Sequence, residues 1–208
     1  MSRGLALPGR AERRRLIAAL RQPAPRAARW LLGQVLVRRL GQRTLAARIV
    51  ETEAYLGPTD PAAHAFRGRT RRTEPLWGPP GTVYVYFVYG MHHCLNLSVD
   101  RAGEPGCVLI RAAEPLPGSG LTEGACRGPG RLTRALGIEA RDSGRWLFER
   151  GSRLYLREGR APRRVAVSTR VGITRAADRP LRFYDAASAS VSPGLTRAGR
   201  ARARRQLG

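Results

Sequence analysis

The run Val83-Tyr84-Val85-Tyr86-Phe87-Val88-Tyr89 constrains the fold more than any other part of the chain. Unbroken β-branched and aromatic residues favour a strand and disfavour a helix. A turn at Gly90 leads to a second strand, about Cys94 to Val99. The Asp100–Gly106 turn then leads to a third, about Cys107 to Ala112. Strands joined by such short connections pair antiparallel. Upstream, Val35 and Val37 alternate, and Leu45–Tyr55 reads as a long strand after a turn around Gly41. Downstream, short strands are expected at about Ser152–Arg157, Val165–Ser168 and Leu181–Tyr184.

Helices are few. Leu16, Ile17 and Leu20 share one helical face, a second helix runs from about Pro25 to Leu32 with Gly33 past its end, and Gly128-Pro129-Gly130 opens a third through Leu136. The pattern predicts an α+β fold: a single domain with an antiparallel β-sheet flanked by helices. Three stretches follow: a basic N-terminal segment with a short helix over 1–24, the main domain over 25–192, and a basic, patternless tail over 193–208.

Composition narrows the function. The chain has 208 residues, 42% of them hydrophobic, enough for one domain with a real core. Its 38 cationic residues are all arginine, against 15 acids, for a net charge of +23. Without lysine there is no P-loop lysine, no pyridoxal-phosphate lysine and no lysine Schiff base. The charge excess points to a polyanionic partner, nucleic acid first and an anionic membrane surface second. Three cysteines, Cys94, Cys107 and Cys126, fit free thiols in a reducing compartment, with neither a disulfide framework nor a zinc site. No apolar run reaches membrane-span length, and the N-terminus does not read as a signal peptide. A soluble cytoplasmic, nucleoid-associated protein is expected.

Several residues could carry chemistry. In Arg48-Ile-Val-Glu-Thr-Glu-Ala-Tyr55, strand parity puts Ala47, Ile49, Glu51, Glu53 and Tyr55 on one face. A carboxylate there could act as a general base or stabilise positive charge; equally, the pair could be solvent-facing and neutralised by arginines. Tyr84 and Tyr86 share one strand face and Tyr89 takes the other. They suit stacking on bases or cross-strand packing. The Pro- and Gly-rich stretch Leu56–Gly81 reads as a long loop carrying His64 and the cluster Arg67, Arg69, Arg71 and Arg72. His64 could contact a flat ligand or simply lie on the surface. His92 and His93 point to opposite faces of a strand, so no metal site is expected. Arg111 ends an apolar strand, and a buried arginine there would want a carboxylate, with Glu53 one possible partner.

In order along the chain stand RIVETEAYLGPTDPAAHAFRGRT, PPGTVYVYFVYGMHHCLNLS, GCVLIRAAEPL, RGPGRLTRALGI, and RVGIT with RPLRFY. This order closely resembles the alkyladenine (3-methylpurine) DNA glycosylase family over roughly Leu31 to Tyr184. The resemblance implies a monomeric, monofunctional enzyme on a curved sheet. It would flip and hydrolytically excise 3-methyladenine, 7-methylguanine, hypoxanthine or ethenoadenine from duplex DNA, without a cofactor, and so initiate base excision repair. It implies Glu53 as the general base that activates water, with Arg111 helping to position that water and a phosphate. It implies Tyr55, His64 and Tyr86 as the stacking walls and Asn96 as the pocket floor that disfavours guanine. Tyr89 would be the wedge that fills the gap in the duplex, and Val171 would lie where a backbone carbonyl is expected near the water. Thr73, Leu76 and His92 differ from the family's usual residues. Two readings from other classes need fewer assumptions: a non-catalytic nucleic-acid-binding module, and a metal-dependent nuclease using Glu51 and Glu53.

Overall fold

The computed structural model describes residues 5–88 and 90–193. Tyr89 and the tail beyond Pro193 lie outside the described residues. Three helices, α1 (Arg10–Leu20), α2 (Ala24–Leu31) and α3 (Pro129–Ala135), pack against eight strands. The strands are β1 (Val35–Leu40), β2 (Arg43–Tyr55), β3 (Val83–Val88), β4 (His92–Val99), β5 (Gly106–Pro115), β6 (Leu154–Arg157), β7 (Val165–Ser168) and β8 (Arg182–Asp185). The order β3-β4-β5-β2-β1-β6 is antiparallel throughout, giving the α+β architecture expected from the pattern.

The main core is built from periodic apolar faces. Ala24, Ala27, Ala28 and Leu31 of α2 are buried at helical spacing, and Leu16 and Leu20 of α1 enter the same core. Each fully buried leucine contributes roughly 1.5–3 kcal/mol relative to exposure. Gly33, past the end of α2, takes a φ of +89°, and an added Cβ would fall 2.2 Å from the carbonyl oxygen of Arg160. Glycine alone fits that close approach.

β2 is the spine of the molecule. Its first half pairs with β1, its second half with β8, and β5 runs along its other side. Residues 51–53 therefore sit in a strand hydrogen-bonded on both sides, the most protected position a sheet offers.

The expected face parity of β2 does not hold. Ala47 and Ile49 lie in the main core, but so does Ala54, and the Thr52 hydroxyl donates to the Ala28 carbonyl on α2 at 2.9 Å. Glu51, Glu53 and Tyr55 face the other way. The cause is a pair of register shifts, where Ile49 opposes Ala113, Glu51 opposes Ala112 and Thr52 opposes Ile110. An extra residue on each strand inverts its alternation, as bulges do.

The stretch Leu56–Gly81 is better organised than its composition suggests. Three short 3-10 turns, Gly57–Thr59, His64–Arg67 and Glu74–Trp77, fold it over the sheet. Ala65 and Leu76 are buried in a satellite cluster with Tyr84 and Cys107. Leu76 is thus a packing residue. Thr73, also buried, exchanges hydrogen bonds with Thr70. Among the described residues no helix is long and apolar enough to cross a membrane.

Candidate active site

The parity inversion delivers Glu51, Glu53 and Tyr55 together to the side of the sheet facing the 56–81 loop. Arg111, brought to that side by the matching shift on β5, lies between the two acids. Its Nε donates to Glu51 Oε1 at 2.9 Å, and its Nη1 is 3.3 Å from Glu53 Oε1. Both carboxylates are fully buried. Desolvating an ionised carboxylate is costly, so what compensates each one decides its chemistry.

Glu51 is saturated. Its Oε1 also accepts from Arg182 Nε at 2.7 Å and the Ser192 hydroxyl at 2.9 Å, and its Oε2 accepts the Ser192 amide at 2.7 Å. Burial pushes its pKa up, but Arg111, Ser192 and Arg182 together hold it below the usual value.

Glu53 is compensated less. The Val171 amide donates to its Oε1 at 2.7 Å and the Tyr55 phenol to its Oε2 at 3.0 Å. Burial outweighs Arg111 and these two hydrogen bonds, so the Glu53 carboxyl is raised above its usual value. Tyr55, itself pushed well above the usual phenol range by burial, keeps its proton and remains a donor. Two carboxylates two residues apart are driven in opposite directions, which is how a proton-transfer group is separated from a structural one.

Glu53 lies behind the wall of a cavity of about 300 Å³, and its partners Tyr55, Arg111 and Val171 line that wall. His64, Tyr84, Tyr86 and Asn96 complete the cavity's aromatic and polar lining. His64 Nδ1 is 2.9 Å from the Tyr84 hydroxyl, and its ring meets Tyr86 edge-on with centroids 4.5 Å apart. Burial, with the nearby Arg72 charge, lowers His64 to about 4, so the imidazole is neutral at physiological pH. Asn96, opposite Tyr84 in the β3–β4 ladder, donates its amide to the Tyr84 carbonyl at 3.3 Å. Six of the sequence-predicted residues, Glu53, Arg111, Tyr55, His64, Tyr86 and Asn96, therefore meet at one place. The expected wedge, Tyr89, lies outside the described residues; beside it, Phe87 and Met91 are exposed at the tip of the β3–β4 hairpin.

Other residues enter the site beyond those the resemblance assigned to it. Arg170 pairs with Asp60, both side chains fully buried, while its guanidinium lies 4.6 Å from the centroid of the Tyr55 ring. Tyr84, expected to stack on bases or to pack across strands, instead hydrogen-bonds His64. Cys94 and Cys107 line the cavity as buried thiols, pushed up by burial to about 11 and about 12. His92 lines the mouth against Gly130 of α3, where an added Cβ would come within 2.7 Å of the imidazole. Among the described residues no three His, Cys, Asp or Glu side chains gather as a metal-ligand set.

Comparison with known proteins agrees with this geometry. The sequence profile of the methylpurine-DNA glycosylase family matches residues 18–189. Several curated relatives carry the provisional name 3-methyladenine DNA glycosylase. One from Anaeromyxobacter dehalogenans is 48% identical over 79% of this chain and 80% of its own length. One from Synechococcus elongatus is 46% identical over 83% and 88%, and one from Chlorobium luteolum 44% identical over 79% and 89%. A hydrolase of N-glycosyl bonds in DNA accounts for the arginine excess, the aromatic cavity and the buried acid at once, and the chain belongs to the methylpurine-DNA glycosylase family.

Proposed function

We propose that the chain rotates an alkylated or deaminated purine out of duplex DNA into the aromatic cavity and hydrolyses its N-glycosyl bond, with Glu53 activating the water. The observation that carries this reading is the contrast between the acids. Glu51 has both oxygens filled by charged or backbone donors. Glu53, raised in pKa, has an oxygen held only by a phenol at the edge of the cavity.

Extruding a base costs a few kcal/mol, and each stacking contact returns roughly 1–3 kcal/mol. Tyr55, His64 and Tyr86 supply those contacts. A neutral His64 suits 3-methyladenine and 7-methylguanine, which carry positive charge that an imidazolium would repel; hypoxanthine and ethenoadenine fit the same walls by stacking. Bond scission builds oxocarbenium character at C1′, which a carboxylate beside it stabilises while taking the proton of the attacking water. Arg111, fixed by Glu51, would orient that water and a flanking phosphate. Asn96, at the cavity floor, would disfavour guanine. Tyr89 would fill the gap left in the duplex. One chain supplies every residue of this site, consistent with a monomer, and no cofactor is invoked. A non-catalytic binding module has no use for a buried acid facing a polyanion.

The test is Glu53→Gln. It should abolish release of 3-methyladenine from duplex DNA while leaving affinity for the damaged duplex within a few-fold. Retained turnover would remove Glu53 from the reaction. A second measurement tests the nucleophile. Without lysine, and with arginine unable to lose its proton, no side-chain amine can form a Schiff base with the sugar. Borohydride added during turnover should trap no protein–DNA adduct, and the product strand should stay intact until alkali. A trapped band would exclude water as the attacking group.

A further inference from the structure

A second cavity, of about 560 Å³, shares no lining residue with the aromatic one. It lies between the first residues of the two edge strands, Val83 of β3 and Leu154 of β6, and the 141–154 segment bridges them. That bridge is hydrogen-bonded in place: the Val83 amide donates to the Arg145 carbonyl at 2.8 Å.

Five arginines from separate stretches converge on this cavity: Arg38 and Arg39 at the end of β1, Arg141 and Arg145 after α3, and Arg153 just before β6. Two acids, Asp142 and Glu149, share the lining. Asp142 is taken by Arg38 at 2.8 Å in a pair buried on both sides, and Arg38 is anchored further by the Gly137 carbonyl at 3.0 Å. Glu149 is 3.8 Å from Arg145 on the exposed rim, and Arg141 turns to Glu139 outside the cavity. Arg39, its guanidinium 5.5 Å from the Tyr155 ring centroid, makes no ion pair among the described residues, and neither does Arg153. The Arg38 Nε–H is buried without an acceptor. An orphaned buried donor is destabilising, and cations crowded on one wall repel. A ligand presenting several anionic oxygens relieves that repulsion, and guanidinium forks bind such oxygens bidentately.

We propose that this cavity is a second anion site, separate from the base-removal site, that takes phosphoryl oxygens from either a free phosphate compound or the phosphodiester backbone of DNA. The inference does not depend on the catalytic roles argued above.

The test uses the full chain and an Arg39→Gln, Arg153→Gln double variant, with Arg153→Gln alone as the fallback should the double variant fail to fold. Calorimetric titration with inorganic pyrophosphate should show binding to the parent and at least tenfold weaker binding to the variant, which assigns a free phosphate compound. If pyrophosphate does not discriminate, anisotropy on an undamaged duplex decides. A log–log salt slope about 1.8 units shallower in the double variant, for two lost phosphate contacts at roughly 0.9 each, assigns the DNA backbone. No difference in either measurement overturns the site. A fall in single-turnover base release at saturating enzyme overturns its separateness.

Discussion

Glu51 and Glu53 differ by what surrounds them, and the difference is measurable. Removing the Glu51 charge takes away a like charge that raises Glu53 and frees Arg111 to act on Glu53 alone. If, as proposed, the reaction needs ionised Glu53, base release in the parent should fall as pH drops through a value raised above that of an ordinary glutamate. In Glu51→Gln that acid limb should move to lower pH; a limb that stays in place would uncouple the two acids. Activity should persist, unlike in Glu53→Gln. Stability should not. Breaking a buried ionic network costs roughly 3–5 kcal/mol, which at about 2–4 °C per kcal/mol in a chain of this size is visible in a melting curve. The sign with pH follows from the lowered pKa of Glu51. Its contribution is present above the unfolded-state value and is lost as pH falls through the lower folded-state one. Glu51→Gln should therefore lack part of the parent's acid destabilisation.

The elements show why some of this was legible in the sequence and some was not. β3, β4 and β5 are local, each hairpin closing within a few residues, so Val83–Tyr89 and its successors announced them. Tyr84 and Tyr86 alternate as read, because β3 keeps its register with β4. β2 does not, because its alternation is inverted by a shift shared with β5, which depends on the partner strand rather than on Arg48–Tyr55 itself. Arg182 and Ser192 were invisible as partners of Glu51 for a related reason. They arrive from 131 and 141 residues away, and no spacing rule reaches that far. The family resemblance supplied Asn96, which no residue pattern singles out, and assigned roles to Glu53, Tyr55, His64, Tyr86 and Arg111, which residue patterns alone leave open. One contact between elements is directly testable. Gly130→Ala in α3 should drive a Cβ into the His92 ring and narrow the cavity mouth, raising KM for damaged duplex severalfold with kcat little changed. His92→Ala should rescue it in the double variant. A failed rescue would place the effect in α3 itself.

At the scale of the whole molecule the net charge of +23 governs encounter with DNA more than chemistry. Non-specific affinity should therefore fall steeply with salt. Ending the chain after Pro193 removes five arginines while keeping Ser192 on Glu51. That truncation should weaken binding to undamaged duplex and leave the single-turnover rate at saturating enzyme unchanged. Ending it after Asp185 also removes Ser192, and should lower that rate and the melting temperature together. Equal effects from the two truncations would make the tail itself part of the reaction site.

The strap from Ser192 to Glu51 also sets an order on the birth of the enzyme. During synthesis both acids leave the ribosome well ahead of their partners Val171, Arg182 and Ser192, which follow 118, 131 and 141 residues later. Until then the two carboxylates have only Arg111 and the Tyr55 phenol among the partners they hold in the folded chain. A chain cut short before residue 192 lacks the clamp on Glu51 and Arg111 that Ser192 supplies.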